Sequence, residues 1–258
     1  MNEFSIDLGL NEIFLLAGLL NYTSVFGIKE SDAHIWDDNI KQHIEETMAR
    51  IPKQIMRYEI DGSLHICREV KCIIDCICAA DKVCTCVSNL NTAKNVTIYV
   101  LNKESHYVSM RPRGDNSYKI ILSNSLDECF LPIGLIGTAS ISIDESILYD
   151  DARSIKELIS SFQEESARRI VKQITKTEEA EKLVFSTLAG RSRHFDCRIY
   201  ERHNSMYDLI YAEVITLVDE VIGRVEIDNN DVVSFRSVSS ATILNNIKNH
   251  LLSEVVDG

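Results

Sequence analysis

Val96-Thr97-Ile98-Tyr99-Val100-Leu101, Tyr107-Val108-Ser109-Met110-Arg111 and Tyr118-Lys119-Ile120-Ile121-Leu122 are three short runs rich in β-branched and aromatic residues. They are joined by Asn102-Lys103-Glu104 and by Pro112-Arg113-Gly114-Asp115-Asn116-Ser117. Such runs favour pleated, half-buried backbone, and connections this short fit only antiparallel neighbours. The stretch therefore reads as an antiparallel meander. The strand-like run Lys82 to Ser88 precedes it, and a turn-rich region, Ser123 to Gly137, follows.

Upstream, Leu10, Ile13, Phe14, Ala17 and Leu20 recur at helical spacing, with Leu15, Leu16 and Leu19 on the other faces. A helix this apolar is buried on several sides or holds a surface for a partner. Val25-Phe26-Gly27-Ile28 reads as a buried connection to a second helix, about Ala33 to Ile51, which Pro52 ends. Asp61-Gly62 sits between two short alternating runs and signals a hairpin. Val70, Ile73, Ile74, Ile77 and Cys78 then mark a short buried helix.

Downstream, Ile155, Leu158, Ile159, Phe162, Ile170 and Ile174 line one side of a strongly helical stretch. A further helix, Glu178 to Leu188, ends at Ala189-Gly190. Strands follow at His194 to Tyr200, Tyr207 to Val218, Arg224 to Ile227 and Val232 to Arg236, the last two joined by the hairpin signal Asp228-Asn229-Asn230-Asp231. Ser239 or Ser240 caps a final helix with the stripe Ile243, Ile247, Leu251 and Val255. The expected class is α+β: antiparallel meanders flanked by helices. The expected halves are residues 1–137 and 138–258, two pseudo-repeats of similar element order or one compact quasi-twofold domain.

The net charge of −12 repels nucleic-acid backbones and anionic lipid, and the basic groups (Arg191, Arg193 and His194; Arg111 and Arg113) lack interleaved aromatic platforms. Neither nucleic acid nor membrane is an expected partner. The longest apolar run, Ile13 to Leu20, is far short of the ~20 residues a membrane helix needs. The acidic N-terminus, with Glu3, Asp7 and Glu12, is unlike a signal peptide, so a soluble cytoplasmic protein is expected.

Six of the eight cysteines fall between residues 67 and 86. Cys76, Cys78, Cys84 and Cys86 could in principle supply four thiolates to zinc, with His65 and Cys67 nearby. Yet no Cys-x-x-Cys knuckle is present, and Cys76 and Cys78 point apart on a helix. Core packing is the expectation, with no metal and no cofactor. No His-Glu-x-x-His, Gly-x-Ser-x-Gly or phosphate-binding glycine loop is present, so no catalytic residues are assigned. The polar Pro112–Ser117 connection is the expected contact site, with Arg111, Arg113 and Asp115 as partner-binding residues, because sheets hold such loops in place.

The opening Phe4-Ser5-Ile6, the apolar helix from Glu12 to Leu20, the Val25–Ile28 connection and the two helix–meander–helix halves together resemble the EspG family of type VII secretion chaperones. The resemblance covers nearly the whole chain as a pattern, without a short diagnostic motif. It implies a quasi-twofold fold and a non-enzymatic cytosolic protein that binds helical secreted substrates and keeps them soluble. No binding residue carries over from it. The alternatives are an enzyme with a dispersed site and a zinc-stabilised regulatory domain.

Overall fold

A computed structural model describes residues 4–27, 40–89, 95–101, 106–114, 116–131, 142–204 and 206–253. The chain starts with β1 (Phe4–Gly9), which runs straight into α1 (Leu10–Leu19). Then come α2 (Ile40–Arg50), the hairpin β2 (Met56–Tyr58) and β3 (Leu64–Ile66), and α3 (Arg68–Ala79). A four-strand meander follows: β4 (Lys82–Ser88), β5 (Asn95–Leu101), β6 (His106–Gly114) and β7 (Ser117–Ser123), closed by α4 (Leu126–Phe130).

Apart from the β2–β3 hairpin, the same order then recurs among the described elements. β8 (Asp144–Leu148) runs into α5 (Tyr149–Ser160), followed by α6 (Glu164–Ile174) and α7 (Glu178–Leu188). A second meander comprises β9 (Arg193–His203), β10 (Met206–Val218), β11 (Val221–Ile227) and β12 (Val232–Ser237), and α8 (Ser240–Leu252) ends it.

Ten strands form one sheet in the order β1-β7-β6-β5-β4-β9-β10-β11-β12-β8, while β2 and β3 pair separately. Read from either edge inward, the order is the same: the strand before the helices, then the meander from last to first. Every pairing among the described strands is antiparallel, including the β4–β9 ladder that joins the halves. The expected antiparallel α+β class is thus observed. The expected division at 137/138 lies outside the described residues.

Side chains alternate between the sheet's two faces. On the front, Val83, Tyr99, Val108, Met110 and Ile120 pack with α1 and α3 in one buried cluster. Val233 and Phe235 pack with α5, α6 and α7 in another. On the back, Cys84, Cys86, Val96, Ile98, Cys197, Ile199 and Ile215 meet α4 and the Ile243, Ile247 and Leu251 stripe of α8.

Two contacts fix this packing. Lys82, 1% exposed, sends its ammonium to the C-terminal end of α8. Its Nζ donates to the carbonyl oxygens of His250 (2.8 Å) and Ser253 (2.9 Å) and to Ser253 Oγ (2.6 Å), and lies 3.2 Å from Glu201 Oε1. A buried cation here meets both a carboxylate and the negative end of a helix dipole. On the front, a Cβ at Gly223 would lie 2.7 Å from Leu183 Cδ2, so α7 seats on β11 only because that position lacks a side chain.

The structure corrects several expectations. The helical stretch from Ile155 to Ile174 is two helices, broken at Phe162, whose φ of +60° no helix accommodates and whose ring is almost fully exposed rather than buried. The turn-rich region after β7 contains α4, and β8 is an additional strand. Only residues 40–50 of the second helix are described; Ala33 to Asn39 lie outside. In the β2–β3 hairpin only Gly62 is left-handed (φ +81°), and Ser63 closes a longer loop by bonding back to Glu59 and Asp61.

Lys82→Met strands Glu201 and the α8 carbonyls and is expected to lower unfolding stability by about 3 kcal/mol in urea titrations. Gly223→Val is expected to cost about 2 kcal/mol by forcing α7 off the sheet. An unshifted midpoint in either variant contradicts the corresponding contact.

Candidate docking surface

The central strands β4, β9 and β10 are covered on the back by α8 and its neighbours, whereas among the described residues part of their front, beyond buried Val83 and the seat of α7 on β10, is left open. The helices there sit to either side: α3 over β5, β6 and β7, and α7 over β10 and β11. The register places Thr85, Arg198 and Ala212 in one front row, and Val87, Asp196 and Val214 in the next. Val87 (46%), Val214 (44%) and Leu209 (54%) are exposed there. A bulge between Leu209 and Tyr211 leaves Ile210 out of the ladder and also exposed. Exposed valines at the middle of a ten-stranded sheet are unusual, because such positions normally gain from burial on both faces.

One ion pair interrupts the apolar strip. Arg198 approaches Asp196, two residues away on the same face of β9, through both Nη2 (3.0 Å) and Nε (3.3 Å). It offers a polar, orienting contact within an apolar surface.

Aromatic side chains stand beside the strip where the connection from α1 crosses the sheet. Phe26 meets Tyr207 (ring centroids 4.5 Å apart) and Tyr200 (5.2 Å). Tyr207 Oη donates to the Ala80 carbonyl oxygen (2.9 Å), and Tyr99 Oη to that of Phe26 (3.2 Å). Val25 is buried, as expected for this connection; Ile28 lies outside the described residues. Tyr22 Oη donates to Asp75 Oδ1 (3.0 Å).

The residues singled out by sequence lie elsewhere. The Pro112–Ser117 segment is less of a loop than expected: pairing continues to Gly114↔Ser117, with an irregularity after Pro112. Arg111 stands opposite Lys119 on the back of the sheet. Arg113 Nη1 bonds Asp7 Oδ2 of β1 at 2.9 Å. Asp115 lies outside the described residues. Arg111 and Arg113 therefore come together with Asp7 and Lys119 near one edge, on the face opposite the strip. Sequence reading missed the strip because Val87, Val214 and Leu209 look like ordinary strand residues. Only the placement of the helices leaves them uncovered.

The cysteines split between the faces. Cys76 and Cys78 pack on the front and Cys84 and Cys86 on the back, so these four cannot converge on one ion. The described histidines are dispersed too: one each on α2, β3, β6 and α8, and two at opposite ends of β9.

No family model and no curated protein matches this sequence. The fold does match a solved one. The type VII secretion system chaperone EspG5 of Mycobacterium tuberculosis, determined in complex with a PE25–PPE41 dimer, superposes with a TM-score of 0.59. The match covers 96% of this chain and 95% of EspG5, at 10% sequence identity. At that identity the likeness shows a shared fold. Among the described residues no helix is long and apolar enough to cross a membrane.

The aromatic wall has a pH signature. Burial raises the Tyr207 phenol from 10.0 to about 12. Burial, followed by the hydrogen bond to Asp75 and its charge, does the same for Tyr22. Both phenols hold their protons more tightly folded than unfolded. Their contribution is intact below pH 10 and is lost as pH rises toward 12. Denaturation midpoints measured across this window are expected to fall, and to fall less steeply in Tyr207→Phe.

Proposed function

We propose that this chain is a non-enzymatic, cytoplasmic bacterial chaperone that binds a helical secreted protein through the front of β4, β9 and β10. The observation that carries this reading is the apolar strip of Val87, Leu209, Ile210 and Val214, left open at the sheet centre between two helical layers. The fold likeness to EspG5, itself solved with a bound PE25–PPE41 dimer, supports a protein partner.

The mechanism is physical. A helix end with apolar side chains, exposed before export, is aggregation-prone. Seating it on the strip removes that surface from water, at about 25 cal/mol for each Å² of apolar area. Arg198 and Asp196 give the contact polar direction, which contributes more to specificity than to affinity. The layers on either side limit lateral access, so the partner enters end-on.

Arg111, Arg113 and Asp115 remain the competing contact site, of which Arg111 and Arg113 lie near one edge of the sheet. Val214→Asp places a charge on the strip without entering the core. In calorimetry with the partner co-purified from the native cell, it is expected to cost about 2 kcal/mol of binding, some thirtyfold, while Arg113→Glu stays near wild type. The opposite ranking moves the site to the arginine edge. Loss of binding in neither variant, with both folded, overturns both placements.

A further inference from the structure

Cys197, far from the other cysteines in sequence, completes a group at the joint between the two halves. Cys86 on β4 stands directly opposite Cys197 on β9, and Cys84 lies two residues away on the same face. Cys84 Sγ is 3.5 Å from Cys86 Sγ and 3.4 Å from Cys197 Sγ. All three sulfurs lie within 4.8 Å of one another, and all three residues are buried beneath Ile243, Ile247 and Leu251 of α8.

Packing explains a cysteine at any one of these positions, since a thiol fills space as a small apolar group. It gives no reason for three sulfurs from two strands to converge. Valine or alanine would fill such a site without three adjacent weak dipoles.

We infer that Cys84, Cys86 and Cys197 form a binding site for one soft metal ion of the copper(I) class. Three sulfur donors select soft ions, and copper(I) is satisfied by two or three of them, whereas structural zinc takes four ligands. Among the described residues the group ends at three donors. Hydrogen bonding among the three sulfurs, followed by burial, holds each free thiol above its ordinary range. The incoming ion displaces thiol protons to the buffer, sulfur–copper bonds form, and no oxidation state changes. With donors on both β4 and β9, the bound ion staples the two halves at their only shared ladder among the described strands.

The test is anaerobic loading of the full chain with copper(I), against a competing chelator, by titrating the folded protein and by supplying copper during synthesis. One copper retained per chain, with a sulfur-to-copper ultraviolet band and a raised Tm, is expected for wild type and for Cys67→Ala, which lies outside the group. Cys197→Ala is expected to lose all three signals, and Cys86→Ala serves if that variant does not fold. Copper held equally by the folded group variant, or none held by wild type under either loading, overturns the site. Zinc held as tightly as copper overturns its assignment to a soft ion.

Discussion

The antiparallel ladder between β4 and β9, from Lys82↔Glu201 to Ser88↔Phe195, turns two five-stranded units into one sheet. Both strands would otherwise be edges, offering unpaired backbone donors and acceptors to any passing strand. Pairing them satisfies both edges and fixes where every other element sits. The helices between β1 and β4 and those between β8 and β9 reach the front, and α4 and α8 reach the back. The outer edges fall to β1 and β8, the short strands that lead each half into its helices.

The same ladder accounts for the asymmetry between the faces at the centre of the sheet. Behind it, α8 lies across the middle, fixed by Ile243, Ile247 and Leu251 and held at its end by Lys82. In front, the helices of each half pack over their own strands and, among the described residues, leave the joint uncovered beyond the point where Phe26 crosses to Tyr200 and Tyr207. Val87 comes from one half and Val214 from the other, so the docking strip exists only once the halves have joined.

Much of the fold was legible because it rests on local signals. Alternation marked the meander strands, Asp228 to Asp231 marked a hairpin whose Asp228 side chain accepts from Asn230 and Val232, and Ser239 caps α8 through the Thr242 amide. What escaped depended on distant partners. Asp144-Glu-Ser-Ile-Leu148 is short and acidic and becomes a strand only by pairing with β12. The break at Phe162 is invisible to periodicity, because the apolar stripe continues on both sides of it. The docking strip was the least legible of all: exposure at Val87 or Val214 is set by where helices from the two halves stop, and no residue in β4 or β10 encodes that. Cys197 escaped for the same reason, since its neighbours Cys84 and Cys86 meet it only across the central ladder.

The most direct test of the central claim is site-specific photo-crosslinking in the native cell, with the photoreactive residue placed in turn at Val87, Val214 and Arg113. The account predicts crosslinks from Val87 and Val214 to one small helical secreted protein, and none from Arg113. Crosslinks confined to Arg113, or no protein captured from the strip, would contradict the assignment of the sheet's open front as the docking surface.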